Sequence, residues 1–227
     1  MSKKIFITGT NTEVGKTYVT ALLIKQLVEK SRSVTYFKAV LSGAVKQEGK
    51  FFSHDAEYVK RFAGLATPTK DMVSYVYEYA ASPHLSAQMT KIYPSLSKIV
   101  EDYEKLAEKY SYIVVEGSGG IVCPLSMTGQ PLMLTDVIKE LDAAIIIVVP
   151  AQLGAINSAV LTSHYAEAMG IKIKGFILNF YHEEDLIEVD NKKMIELLTG
   201  YPVLGYTCEN SEQLILSKGS LEAIFTD

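Results

Sequence analysis

The chain predicts a doubly wound α/β fold built around a mostly parallel sheet, and three observations carry that prediction. Short apolar runs rich in β-branched residues alternate with amphipathic stretches along all 227 residues. The runs are apolar throughout rather than at every second residue, as strands are when helices cover both faces of a sheet. The first run opens into a glycine-containing loop that leads directly into a helical pattern, the start of a βαβ unit.

In chain order, strands are expected over Lys4 to Thr8, Val34 to Lys38, Tyr112 to Glu116, Ala143 to Val149, Ile173 to Asn179 and Pro202 to Tyr206. Between them, apolar residues at spacings of three and four predict helices over Lys16 to Lys30, His54 to Ala63, Ser95 to Lys109, Asp136 to Leu141, Ala155 to Met169 and Asn191 to Leu198. Ala39 to Ser53 and Met127 to Leu132 read as loops. No repeat or low-complexity tract interrupts the pattern, so residues 1–227 are expected to form a single domain.

Composition narrows the function. With 48% hydrophobic and 21% charged residues the chain can bury a full core, and a net charge of -4 with scattered Lys and Arg gives no field for nucleic acid. The longest apolar run, Ala143 to Ala151, contains Pro150 and is far shorter than a membrane span of roughly 20 residues, so no membrane association is expected. The opening MSKKIFITGT turns within a few residues into the glycine loop, which leaves no room for a signal peptide and predicts a cytoplasmic protein. Cys123 and Cys208 have no metal-ligand spacing and read as structural thiols in a reducing compartment.

Ligands of open parallel sheets bind beyond the carboxyl ends of the strands. The first such end carries GTNTEVGKT. Gly15, Lys16 and Thr17 match the consensus phosphate loop, but the first consensus glycine falls on Thr10, with Gly9 one residue early. The fold is therefore P-loop NTPase-like, with a variant Walker A loop. Successive N–H groups at the start of the helix and its dipole suit a triphosphate, Lys16 reaches the β- and γ-phosphates, and Thr17 can ligate Mg2+. The chain is thus expected to use ATP.

Other strand ends add candidates. Glu116 closes YIVVE and opens onto Gly117, Ser118, Gly119 and Gly120, which suits a metal-binding carboxylate beside glycine N–H groups. Asp55 begins a helix, where an acid is favoured as cap and dipole partner, and taken alone it reads as a cap. Lys38 ends the second strand, with Ser42 and Gly43 beyond it. Alone it fits a solvated lysine, whereas beside a triphosphate it would neutralise charge on a transferred phosphoryl group. His84 fits a loop or capping role as well as a chemical one, and His54, His164 and His182 show no catalytic or metal arrangement.

Together the motifs resemble the dethiobiotin synthetase family. The resemblance runs over MSKKIFITGTNTEVGKT, KAVLSG, SHDA, ASPH, VVEGSGG, QLGAIN, LNF and PVLGY. It implies ATP-dependent carboxylation and ring closure of 7,8-diaminopelargonate with carbon dioxide or bicarbonate, through a carbamate and a mixed anhydride with phosphate. It further implies that Lys16, Lys38 and Thr12 are catalytic, that Glu13, Val14, Gly15, Lys16, Thr17 and Tyr18 bind the nucleotide phosphates, and that Gly117, Ser118 and Gly119 line the nucleotide site. Mg2+ would rest on Thr17, Asp55 and Glu116. The base would be met by Asn179, Thr207 and Glu212. Substrate would be held by Thr12, Ser42, Ser82 and Pro83, with His84 on the same loop, and by Leu153, Gly154 and Asn157 reaching from the partner of a homodimer. The chain departs from the family pattern at Ala39, at Ser118 and at the Tyr206–Thr207 pair.

Two other readings share the variant loop. A cobyrinate-type amide synthetase takes ammonia from a glutaminase domain, which these residues are not expected to form. A P-loop switch ATPase of the partitioning kind carries an early loop lysine, and Thr10 to Val14 has none.

Overall fold

The computed structural model describes residues 2–47, 50–217 and 221–225. Strand β1 (Lys3–Gly9) is followed by the loop and α1 (Lys16–Glu29), then by β2 (Val34–Ser42) and a small hairpin of β3 (Val45–Gln47) and β4 (Lys50–Phe52). Helix α2 (His54–Ala63) leads to the edge strand β5 (Val73–Tyr77), and α3 (Pro83–Thr90) and α4 (Leu96–Ala107) lead to β6 (Tyr112–Glu116). A second hairpin, β7 (Pro124–Ser126) with β8 (Leu132–Met133), runs into α5 (Leu134–Glu140). The chain continues through β9 (Ile145–Pro150), α6 (Ala155–Ala168), β10 (Ile173–Asn179), α7 (Leu186–Thr199), β11 (Val203–Tyr206), the short β12 (Ile215–Leu216) and a final 3-10 turn, Leu221–Phe225.

Eight strands form the main sheet in the order β12-β11-β10-β9-β1-β6-β2-β5. All neighbours are parallel except β12, which runs antiparallel to β11. The chain moves outward from β1 through β2 to β5, returns between them as β6, and then crosses to the other side as β9. That reversal puts the ends of β1, β2 and β6 side by side, where such sheets bind ligands.

The apolar strands are buried on both faces, as expected. On β1, Phe6 packs into the layer formed with α4, α5, α6 and α7, while Ile5 and Ile7 pack into the layer formed with α1, α2 and the final turn. Helix ends follow local chemistry. Ser53 accepts from the Ala56 N–H (3.1 Å) at the start of α2, Asp55 and Glu57 fill its first turn, and Gly64 at φ 69° ends it. Asp185 accepts from Ile187 and Glu188, so α7 starts at Leu186, earlier than the expected Asn191.

The stretch Ala39 to Ser53, expected as a loop, instead continues β2 to Ser42 and then forms β3 and β4. Ala39, Val40 and Leu41 are buried, and Val40, Leu41 and Ser42 pair with β5, a strand absent from the expected set. Met127 to Leu132 is a loop except at Leu132, where β8 begins. Helix α3, over Pro83–Thr90, is not among the expected helices. Among the described residues no helix is long and apolar enough to cross a membrane.

Candidate active site

Over the carboxyl ends of β1, β2 and β6 lies an open cleft of about 1180 Å³. Its floor is the loop after β1. Glu13 (φ 59°) and Gly15 (φ 94°) adopt left-handed backbone on either side of Val14, the alternation that curls successive N–H groups into an anion-binding concavity. Gly15 is the N-cap of α1 and no side chain caps that helix, so its free N–H groups face the cleft. Lys16 Nζ donates to the Asn11 carbonyl at 2.9 Å, within the loop's own span. Burial brings the Lys16 ammonium down to about 8, with Glu116 pulling the other way.

Beside the loop is a buried charged cluster. Glu116, 1% exposed, accepts from Thr17 Oγ1 (2.9 Å) and Lys38 Nζ (2.7 Å) on Oε1 and from Tyr36 OH (3.0 Å) on Oε2. Lys38 Nζ also meets Asp55 Oδ2 at 2.6 Å, so one ammonium joins two carboxylates. Burial opposes the Lys38 charge, but Glu116 and Asp55 outweigh it and hold the lysine above its ordinary value. Burial, then the Glu116 charge, keeps the Tyr36 phenol well above its ordinary value, so it stays a donor. Tyr36 and Lys38 are two apart on β2 and share a face through the strand's alternation.

The donors available to a cation here are hard oxygens: one hydroxyl and two carboxylates. Among the described residues no group of three His, Cys, Asp or Glu side chains is placed to hold a metal ion by itself. A divalent ion would therefore need phosphate oxygens as well, and it would meet the Lys38 ammonium already between the two acids. The set fits magnesium delivered on a nucleotide better than a resident ion.

The cleft brings together Thr12, Glu13, Gly15, Lys16, Thr17, Tyr18, Lys38, Ser42, Asp55, Ser82, Pro83, Glu116, Ser118 and Gly119. Ser42 Oγ is buried with no hydrogen-bond partner among the described residues, which suits a ligand contact. Ser118 Oγ donates to the Val40 carbonyl at 2.5 Å and so ties the glycine turn to β2.

Other expected residues lie off the cleft wall. Val14 is buried in the core behind the loop. Gly117 does not offer a free N–H, because it donates to the Ile7 carbonyl at 2.9 Å and continues the sheet. Asn179 and Thr207 are buried beneath the loop and bonded to each other. Glu212 is a surface residue paired with Lys25 at 2.9 Å. Leu153, Gly154 and Asn157 are exposed around the start of α6, away from this chain's cleft. Two residues with no assigned role belong to the site. Tyr36 bonds Glu116, and His54 lines the cleft with Nε2 3.2 Å from Asp55 Oδ1.

Cys123 also lines the cleft, and burial pushes its thiol up to about 11, offset only in part by Lys16 and Lys38. A raised thiol value favours the neutral form, so about one molecule in a thousand holds the reactive thiolate at pH 8. Iodoacetamide is expected to leave Cys123 largely unmodified at pH 8 and to react about a hundredfold faster at pH 10, read by peptide mass spectrometry. Rapid labelling at pH 8 would contradict the burial argument.

A family model described as an AAA domain matches residues 3–213. The chain is 46% identical over 200 residues to the ATP-dependent dethiobiotin synthetase BioD of Clostridium perfringens strain 13, covering 88% of each. It is 42% identical to the protein of that name from Clostridium botulinum strain Langeland, covering 100% of each. Among solved structures it resembles the septum site-determining protein MinD complexed with Mg-ADP from Pyrococcus horikoshii (TM-score 0.56, 20% identity, 92% and 82% covered). It also resembles a ParA family ATPase from Chlorobium tepidum (TM-score 0.54, 16% identity, 92% and 85% covered). The structural likenesses speak to the fold, which is that of P-loop NTPases, and the close relatives speak to the family. By its sequence along nearly the whole chain, this protein belongs to the ATP-dependent dethiobiotin synthetase family.

Proposed function

We propose that this protein converts 7,8-diaminopelargonate, carbon dioxide and ATP into dethiobiotin, ADP and phosphate. The observation that carries the reading is the meeting of the Gly9–Thr17 loop with Lys38, Asp55 and Glu116 at one end of a cleft. One amine of the diamine adds to carbon dioxide and loses a proton, giving a carbamate. A carbamate oxygen then attacks the γ-phosphorus and ADP departs. The second amine attacks the carbonyl carbon of the mixed anhydride, loses a proton and expels phosphate as the ureido ring closes.

The chain's work in this scheme is positional and electrostatic. The N–H groups of Glu13 to Tyr18 hold the phosphates, while Lys16 and Lys38 neutralise charge on the carbamate and the moving phosphoryl group. Lys16 first gives up its bond to the Asn11 carbonyl. Thr12 and Ser42 hold the carbamate or diamine end, and the Ser42 hydroxyl has no protein partner to leave. Ser82 and Pro83 form the far wall. Thr17, Asp55 and Glu116 would hold magnesium, which supplies further neutralisation of phosphate charge when bound.

The protein acts as a homodimer in this reading. Leu153 is 82% exposed and, with Gly154 and Asn157, stands at the start of α6, where free N–H groups suit a carboxylate. These residues serve the distal carboxylate of a substrate in the partner's cleft.

Phosphate release from magnesium-ATP is expected only when 7,8-diaminopelargonate and bicarbonate are both present, measured with a coupled phosphate assay. Release that ignores the diamine would rule the proposal out.

A further inference from the structure

Glu116 has both carboxylate oxygens engaged, and its three donors are not equivalent. Thr17 and Lys38 both reach Oε1 and both line the cleft, so a bound ligand can recruit either of them. Tyr36 reaches Oε2, at 3.0 Å, and is fully buried off the cleft wall. Once Thr17 turns to magnesium and Lys38 to the phosphoryl group, Tyr36 is the donor that stays on Glu116.

Strand pairing builds this contact. β2 and β6 run parallel, with Lys38 opposite Glu116 and Tyr36 opposite Val114. Tyr36 packs in the same apolar layer as Ile5, Ile7 and Val114. Phenylalanine would fill that volume without bringing a polar atom. A buried hydroxyl left unpaired costs about 1–3 kcal/mol. Here it is paired, and its partner is the one Glu116 oxygen that the cleft residues do not hold. A carboxylate free to rotate can offer either oxygen, or both at once, to a cation. The bond to Oε2 fixes that rotation and keeps Oε1 beside the Thr17 hydroxyl.

We propose that Tyr36 is a positioning residue for the magnesium site: its hydroxyl holds Oε2 of Glu116 and so presents Oε1, beside Thr17, to the ion. The proposal rests on the magnesium-binding part of the proposed function. It adds a residue that touches neither substrate nor metal and acts through a ligand.

Isothermal titration of ADP into wild type and Tyr36→Phe, in EDTA and over a series of magnesium concentrations, tests it. Both proteins should bind metal-free ADP alike. The magnesium concentration that gives half of the gain in affinity should rise about tenfold in Tyr36→Phe, because outer-shell partners are worth about 10–100-fold in metal affinity. Tyr36→4-aminophenylalanine puts an N–H donor in place of the O–H and should bring that concentration back to within about threefold of wild type. Glu116→Ala should raise it too, and adding Tyr36→Phe to Glu116→Ala should change nothing further, since the tyrosine acts through the carboxylate. Melting temperatures without metal are read alongside. A Tyr36→Phe protein that melts lower yet titrates magnesium as wild type does would overturn the proposal and leave the hydroxyl a partner of the fold alone. So would a failure of the amino variant to restore magnesium dependence, or a further loss in the double variant. If Glu116→Ala itself titrates as wild type, magnesium does not rest on Glu116, and the metal assignment of the proposed function falls together with this proposal. If Glu116→Ala is impaired and Tyr36→Phe is not, the metal assignment stands and this proposal alone falls.

Discussion

Lys38→Met is expected to lower turnover by about a hundredfold or more while changing ADP affinity little, because it removes one cationic partner of the transferred phosphoryl group. Methionine keeps the unbranched stem, so packing in β2 changes less than it would with alanine. A second effect follows from geometry. The Lys38 ammonium is the counter-charge of two acids at 2.6 and 2.7 Å, and Glu116 is 1% exposed. Its loss leaves buried carboxylates facing each other, a change that costs on the order of 3–5 kcal/mol when one partner of a buried pair is removed. Magnesium should then restore part of the lost stability, since a cation can take the ammonium's place between the acids. Thermal unfolding with and without magnesium, beside steady-state phosphate release, reads both effects. A near-normal rate in a destabilised variant would show that Lys38 serves the fold alone.

The same cluster shows what could be seen in the sequence and what could not. The phosphate loop was legible because its chemistry is local: strand, turn, Gly15, Lys16, Thr17 and helix are contiguous. Glu116 was legible as a lone acid closing an apolar strand. Lys38 alone fits a solvated lysine, and its burial depends on acids 17 and 78 residues away in the chain. Asp55 likewise sits where a cap is expected, and only the arrival of Lys38 distinguishes it from a plain helix-start acid. Tyr36 could have been found by asking which residue shares the face of Lys38, two positions back on the same strand.

Tertiary pairing explains the fold-level differences too. The VSYVY run of β5 is short and partly polar, and it becomes a strand by pairing with β2 beyond Lys38. That pairing also makes Ala39 to Ser42 a strand, where a loop is expected from the sequence. The base-side assignments met a different limit. Asn179 is where the motif puts it, at the end of β10, but its amide partners are set by Val14 and Thr207, far apart in sequence.

Gly15→Ala is expected to weaken nucleotide binding by about a hundredfold or more while leaving the sheet intact, because two separate costs fall on the phosphate loop. At φ 94° a side chain is strained whatever the space around it. Here there is also no space: a Cβ would lie 2.0 Å from Asn179 Nδ2 and 2.7 Å from its Cγ. Asn179 cannot easily retreat, since it is buried and held at both ends of its amide by Val14 and Thr207. The loop must therefore open, and the curl of N–H groups between Glu13 and α1 opens with it. Gly64→Ala separates the two costs. Gly64 has a left-handed φ of 69° at the end of α2, with nothing within 4 Å of its added Cβ. That variant should lose about 1 kcal/mol of stability and keep wild-type ADP affinity. Calorimetry with ADP and far-UV circular dichroism on both variants supply the comparison. Wild-type ADP binding by folded Gly15→Ala would mean that the phosphates do not rest on this loop.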